Sequence, residues 1–349
     1  MPSFGPLQRI GTLSRGDRGS VRFAYDPAWL KTAHAFPLDP ELDLTAGESY
    51  PGNQNFGVFM DSCPDRWGQI LMKRREVVEA REQRRAPKTL EAWDFLLGIQ
   101  DCTRMGALRF SHPDTESFLA NESRSAPPLA RIAELQAVAW ELTRRKQDDL
   151  EKLREWLKIL VAPGSSLGGA RPKANLIDES GNLWIAKFPS AEDDYDVALW
   201  EVLLHELAVA CEIVVPEARL MKIGNGYHTF MVKRFDRVGS SRRFFASAMT
   251  MTGNQDTEDA SYLELAEFIA TWGDPGFIAV DLAALFARVV FNVATANGDD
   301  HLRNHGFLRN PCGWRLAPAK RNPKNPCRNR RKKHSDIDAE NPLCYYFNR

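Results

Sequence analysis

The chain has 349 residues, 43% apolar and 26% charged, and its Lys+Arg and Asp+Glu totals are both 46. That length allows two or three domains with sizeable cores, and the zero net charge excludes a chain-wide electrostatic pull toward nucleic acid or a membrane surface. The six cysteines form no Cys-x-x-Cys pair, which argues against a zinc site or a disulfide framework and for a reducing compartment.

The N-terminal MPSFGPLQRIG has neither a basic nor an apolar leader region, and no run of 18 apolar residues occurs. A cytoplasmic protein with no membrane association is expected. Residues 8–25 read as a β-hairpin, because Val21, Phe23 and Tyr25 alternate with polar neighbours. Loops and short helices follow, through the aromatic-rich NFGVFMDSCPDRWGQILMKRRE. GALRF, residues 106–110, reads as a short strand, and residues 111–128 as a linker ending in Pro127-Pro128.

Residues 130–160 carry two helical stripes, Leu135/Val138/Leu142 and Leu150/Leu153/Leu157/Leu160. The small-residue loop APGSSLGGARPK comes next. It is not a Walker A loop, since Ala170 and Arg171 stand where Lys and Ser/Thr belong. Its backbone amides are still suited to approach phosphates; a flexible connector is the alternative. ANLID and LWIAKF, joined by ESG, predict a hairpin, with a helix over roughly 195–210 and a strand pair ending in HTFMVKRFDR. After Gly239 the pattern turns helical. Leu282, Leu285, Phe286, Val289, Val290 and Val293 predict a helix with a broad buried face. It is expected to end at Asn297-Gly298, a pair able to take positive φ.

The loop that follows, NGDDHLRNHG, holds the densest chemistry in the chain. Asp299 precedes Asn304 by five residues, the spacing of kinase catalytic loops, in which Asp orients the attacking hydroxyl and Asn holds Mg²⁺. His301 is placed to brace such a loop. A polar helix cap is the simpler explanation. A metal site on His301 and His305 lacks the Glu of His-Glu-x-x-His. Lys187, amid apolar strand neighbours, would bind phosphates, with Glu201 or Glu206 as its helix partner; an edge-strand lysine is the alternative.

SLGGARPKANL, IAKF, FMVKRFDR and NGDDHLRNHGF, in this order, resemble the HipA family of bacterial serine/threonine kinases, toxins of type II toxin–antitoxin pairs. The N-terminal IGTL, VRFAYD, DSCPDRWG, DFLLGIQD and GALRF resemble that family's N-terminal subdomain. The resemblance covers roughly residues 8–319. It implies an α+β, protein-kinase-like two-lobed fold: an N-terminal subdomain (1–125), a kinase-like N-lobe with preceding helices (126–238), a helical C-lobe with the catalytic loop (239–319) and a divergent basic tail (320–349).

Carried over by position, Ser166 is implied as the autophosphorylated serine of a phosphate loop that includes Gly168 and Gly169. Lys187 would contact ATP phosphates and Glu201 would be its partner. Lys233 and Phe235 would belong to the adenine-binding hinge, and His301 would lie beside the nucleotide. Asp299 would be the catalytic Asp and Asn304 a Mg²⁺ ligand. ATP and Mg²⁺ are thus the implied cofactors. A helix-turn-helix antitoxin of the HipB type is the implied partner, with operator DNA through it, and an aminoacyl-tRNA synthetase the implied protein substrate.

Two departures bear on these expectations. Lys233 stands where the family often has Glu. After Leu-Ala-Pro-Ala, residues 316–319, the family has an aromatic residue and then a Mg²⁺-binding Asp; here no acid occurs before Asp336, and residues 320–333 carry eight Lys or Arg. Asp336 and Asp338 lie far from the expected position. A solvated basic segment is the plain reading of the run, and nucleic-acid contact the sharper one. A decayed or frameshifted C-terminus, and so an incomplete kinase fold, is the expectation. Loss of a metal ligand implies roughly 3–6 kcal/mol less transition-state stabilisation. The alternatives are therefore a pseudokinase that only binds its antitoxin–DNA complex, and an aminoglycoside-type small-molecule phosphotransferase.

Overall fold

The computed structural model describes residues 7–16, 20–53, 55–115, 117–120, 126–144, 171–254 and 260–319. β1 (Gly11–Arg15) and β2 (Val21–Tyr25) form the expected hairpin, with Leu13 opposite Phe23. Val21, Phe23 and Tyr25 point inward, as their alternation requires. β3 (Glu48–Ser49) adds a third strand. α1 (Pro27–Leu30) and α2 (Gly57–Asp61) are short. α3 (Arg66–Glu82) runs 17 residues and is longer than the sequence suggests, because its buried positions Trp67, Leu71, Met72 and Val78 are diluted by charged neighbours. Asp65 caps it, accepting from the Gly68 N–H at 2.8 Å. α4 (Ala92–Gly98) opens on a reciprocal Glu91/Asp94 capping box.

GALRF is not a strand. Gly106 sits at φ +74° and gives its N–H to Asp236 at 2.8 Å, so this backbone bonds to a side chain rather than a ladder. Next comes α5 (Ile132–Thr143), packed on β4 (Lys173–Ile177). The second expected stripe, Leu150 to Leu160, lies outside the described residues. β4 turns through Gly181, at φ +77°, into β5 (Leu183–Lys187). With β6 (Ala218–Met221) and β7 (Thr229–Lys233) they form an antiparallel sheet in the order β4-β5-β7-β6. β5 is therefore central, and Lys187 is not an edge-strand lysine. α6 (Val197–Ala210), capped by Asp196, packs against β6 and β7.

The region after Gly239 is less helical than its sequence suggests. β8 (Arg237–Val238) and β9 (Ser241–Arg242) pair briefly. β10 (Phe245–Ser247), β11 (Gly306–Asn310) and β12 (Gly313–Leu316) build a three-stranded sheet. Its strands are short and far apart in sequence, so no local pattern exposes them. Around it lie α7 (Ala248–Met251), α8 (Tyr262–Trp272) and α9 (Ile278–Ala294). α9 turns a different face inward from the one expected. Asp281, Leu285, Arg288 and Phe291 are buried, while Phe286, Val290 and Val293 are exposed. Polar anchoring decides this orientation. Asp281 accepts from the Arg315 guanidinium and the Leu316 N–H, and Arg288 donates to the Ala317 carbonyl at 2.6 Å.

One contiguous apolar core runs from β2 to β12. Phe36 of the N-terminal region stacks edge-on against Phe244 and Trp314, with ring centroids 5.2 and 6.0 Å away. A second junction is polar. Asp236 is fully buried and accepts from Arg234 and Arg237 at 2.6 Å each. Arg234 also donates to the carbonyls of Thr103 and Arg104 and to the Asn175 side chain. Burial pushes the Asp236 carboxyl up, but the two guanidiniums outweigh it and hold it well below the usual carboxylate range. Asp236→Ala leaves two arginines buried around an empty centre. It is expected to lower stability by about 3–5 kcal/mol, read as a lower urea midpoint; an unchanged midpoint would show that the junction does not hold the fold.

Candidate active site

The site is built where the four-stranded sheet meets the end of α9. α9 closes in a Schellman-type turn: the Ala296 N–H bonds to the Val293 carbonyl at 3.1 Å and the Asn297 N–H to that of Asn292 at 2.9 Å. The positive-φ residue is Ala296, at +50°, and not the expected Asn297-Gly298 pair. The turn releases the loop 297–305, which contains a single 3₁₀ turn at Leu302–Asn304.

Two sets of hydrogen bonds shape this loop. Asn304 Nδ2 donates to the Asp299 carbonyl at 2.6 Å and ties its two ends together. Asp300 is buried and accepts from the Tyr262 hydroxyl, from Asn292 Nδ2 at 2.8 Å and from His305 Nε2 at 3.0 Å. Burial pushes the Asp300 carboxyl up, yet the His305 ring and the Tyr262 hydroxyl together hold it below the usual range. Asp300 and His305 thus perform the bracing role expected of His301. His301 is half-buried, and among the described residues its Nδ1 has no hydrogen-bond partner. Burial lowers its pKa, against the pull of Asp299.

Across the cleft, Lys187 at the end of β5 pairs with Glu201 of α6. Of the two candidate partners, Glu201 is buried and Glu206 exposed, because position 201 falls on the sheet-facing side of the helix. Lys187 also lies 5.5 Å from the Phe230 ring centroid. Lys187, Glu201, Lys233, Phe235 and Asn304 line one cleft, with Ile185, Val215 and Val232 as apolar walls. The space between these walls, open mouth included, comes to about 710 Å³. Lys233 sits at the rim, 3.7 Å from Glu217, and its N–H bonds to the Glu217 carbonyl at 2.8 Å.

Asp299, half-buried, adjoins the cleft through Asn304; neither it nor His301 is among the lining residues. Ser166, Gly168 and Gly169 lie outside the described residues, as does everything after Ala319. Sequence reading missed Lys173, a buried lysine that also lines the cleft and pairs with Asp65 at 2.7 Å. It missed Asp300, Tyr262 and Asn292 too, and weighed His305 only as a metal ligand. The one available signal was the second acid in NGDDH, which a search for Asp-x4-Asn passes over.

Among the described residues no group of three His, Cys, Asp or Glu could hold a metal. The donors present fit a cation held largely by phosphates and water, the ordinary habit of Mg²⁺. Asn304 is the side chain suited to join it, since its amide nitrogen is engaged with Asp299 and its oxygen remains an acceptor.

A lysine–glutamate pair on a central strand and helix, facing an Asp-x4-Asn loop across an apolar-walled cleft, defines a kinase-like α+β fold. Two family models match the chain: the HipA N-terminal domain over residues 6–111 and the HipA-like C-terminal domain over residues 165–319. The chain belongs to the HipA family. No curated protein matches it. Among solved structures, the Shewanella oneidensis MR-1 toxin–antitoxin complex of HipA, HipB and operator DNA matches with a TM-score of 0.61 at 17% identity, over 89% of this chain and 73% of that one. The Helicobacter pylori proinflammatory kinase CtkA matches 42% of this chain and 52% of its own, at 19% identity and a TM-score of 0.34, too slight a likeness to carry an argument. Among the described residues no helix is long and apolar enough to cross a membrane.

Asp300→Asn keeps the shape of the side chain but removes its charge and one acceptor. It is expected to lower stability by about 1–3 kcal/mol at neutral pH. Because the folded carboxyl lies below its unfolded value, that contribution is complete above about pH 4 and is lost as pH falls through the folded value. Denaturation midpoints of both proteins across the acid range should therefore converge; a constant gap would exclude the charged role.

Proposed function

We propose that this protein is a HipA-type serine/threonine kinase that transfers the γ-phosphate of ATP to a protein serine. The observation that carries the reading is the convergence of Lys187–Glu201, Phe235 and Asn304 on one cleft beside Asp299. Adenine fits between the apolar walls Ile185, Val215, Val232 and Phe235, and Lys187 is suited to neutralise phosphate charge. Asp299 orients the attacking hydroxyl and takes its proton. The serine oxygen forms a new bond to the γ-phosphorus as the bond to the β-phosphate oxygen breaks, and ADP leaves. Mg²⁺, when bound, neutralises charge developing on the phosphates; Asn304 would hold it. Ser166 is the proposed autophosphorylation site.

The Shewanella structure contains HipA with HipB and operator DNA. A helix-turn-helix antitoxin, and operator DNA through it, is the corresponding proposal for this chain, with an aminoacyl-tRNA synthetase as protein substrate. A specific observation favours a second reading. The sequence after Ala319 has no acid before Asp336, and residues 320–333 carry eight Lys or Arg. A nucleotide-binding pseudokinase that acts through its antitoxin fits those facts.

Transfer of γ-labelled phosphate from Mg²⁺-ATP to the protein itself separates the two readings. An active kinase incorporates label, and Asp299→Asn lowers the rate by about 100-fold or more. Tight ATP binding with no label in either protein would establish the pseudokinase. Lys187→Met is expected to weaken ATP binding by about tenfold or more in either case, and titration calorimetry reads that directly.

A further inference from the structure

Asp300 braces the loop 297–305 from the side of α8 and α9. The end of the loop is held from another side. The His305 carbonyl accepts from the N–H of Ala248, the first residue of α7, at 3.0 Å. The next residue, Gly306, stands opposite Ser247 in the register of β10 and β11. Asn304, which ties the loop together through the Asp299 carbonyl, directly precedes His305. Where Asn304 and Asp299 lie therefore depends on where α7 lies.

α7 is a single turn, Ala248–Met251, and a helix that short does not hold itself in place. Ser247 caps it, accepting from the Thr250 N–H at 3.2 Å. Its outside support comes from the N-terminal subdomain. Asp61, the last residue of α2, accepts from the Ser247 N–H at 2.6 Å and from the Thr250 hydroxyl at 2.8 Å. Gly57, the first residue of α2, packs on the same threonine. A Cβ at Gly57 would stand 2.7 Å from Thr250 Oγ1 and 2.8 Å from its Cγ2. Thr250 is buried and β-branched, so it has little freedom to move aside. Both ends of one short helix thus bear on Thr250.

We propose that Thr250 is a positioning residue of the site: through it α2 sets the place of α7, and α7 sets the end of the loop that carries Asp299 and Asn304. Neither Thr250 nor Asp61 is among the residues that line the cleft, so the N-terminal subdomain acts on phosphoryl transfer at one remove. Lys187 and Glu201 are built on β5 and α6, and nucleotide binding on that side does not pass through α7. This rests on the kinase reading of Asp299.

Asp61 has further contacts, so the test is made from the other side of the junction. Thr250→Val keeps the shape of the side chain and removes its hydroxyl; Thr250→Ser keeps the hydroxyl. Autophosphorylation from Mg²⁺-ATP is followed in the full chain, well below the melting temperature of each variant. Thr250→Val is expected to lower kcat by about tenfold while KM for ATP changes by less than about threefold. Thr250→Ser should recover most of that loss, and Gly57→Ala, which presses on the same side chain, should repeat the split. A lower melting temperature with unchanged kcat in Thr250→Val would reduce the junction to a structural role and overturn the proposal, as would equal losses in kcat and in ATP affinity. Amide hydrogen exchange gives a readout that needs no activity. Exchange at residues 299–305 should quicken in Thr250→Val while β4, β5 and β7 exchange as in the unaltered protein; unchanged exchange in the loop sinks the idea. Where Thr250→Val does not fold, Gly57→Ala is judged by the same two measurements. Absence of label on the unaltered protein would remove the kinase reading, and hydrogen exchange would still decide whether α7 positions the loop.

Discussion

A buried carboxylate has to be surrounded by donors, and Asp236 meets that requirement with groups from separate parts of the chain. Arg234 and Arg237 supply the charge, and the Gly106 N–H comes from the N-terminal subdomain. The same Arg234 reaches the Thr103 and Arg104 carbonyls and Asn175 of β4. The segment that leaves the four-stranded sheet is therefore bolted to the N-terminal subdomain at the point where Lys233, Arg234 and Phe235 line the cleft. Desolvation makes a partial version of this cluster unstable. The N-terminal subdomain is in this sense part of the kinase-like body, a conclusion the shared aromatic packing of Phe36, Phe244 and Trp314 supports.

The same logic recurs at two points nearer the chemistry. Asp61 Oδ2 accepts from the Ser247 N–H at 2.6 Å and from the Thr250 hydroxyl at 2.8 Å, and so holds the start of α7. The Ala248 N–H in turn bonds to the His305 carbonyl at 3.0 Å, at the end of the loop 297–305. Asp65, four residues further on, meets Lys173 under the opposite wall of the cleft. One short stretch of the N-terminal subdomain thus contacts both sides of the site. The loop itself relies on Asp300, whose three donors come from α8, α9 and the loop's own last residue. Packing and polar satisfaction, rather than loop rigidity, keep Asp299 and Asn304 in place.

Much of the site was legible in the sequence because its parts are local. The Asp299/Asn304 spacing is set within one loop. Lys187 stood out as a charge in an apolar strand, and the ESG turn announced the hairpin that carries it. The order of these parts along the chain led to the HipA family, to which two family models also assign it. Local patterns also located β1, β2, β4, β5 and α6 to within a few residues.

Tertiary structure decided what local pattern could not, and the reason is the same each time: a polar group finds its partner far away in sequence. α9 looked like a helix with a valine-rich inner face, but Asp281 and Arg288 are drawn inward by β12 and turn Phe286, Val290 and Val293 outward. GALRF looked like a strand, but Gly106 bonds to Asp236, 130 residues away. Glu201 and Glu206 were equivalent on paper; burial chose Glu201. Lys173 drew no attention, because its partner Asp65 lies in another subdomain. By itself the sequence determined which residues could do chemistry and in what order they come, since spacing within a loop or strand is a covalent property. Which carboxylate meets which lysine depended on burial, because only the folded chain excludes the water that would otherwise leave every one of these charges unpaired.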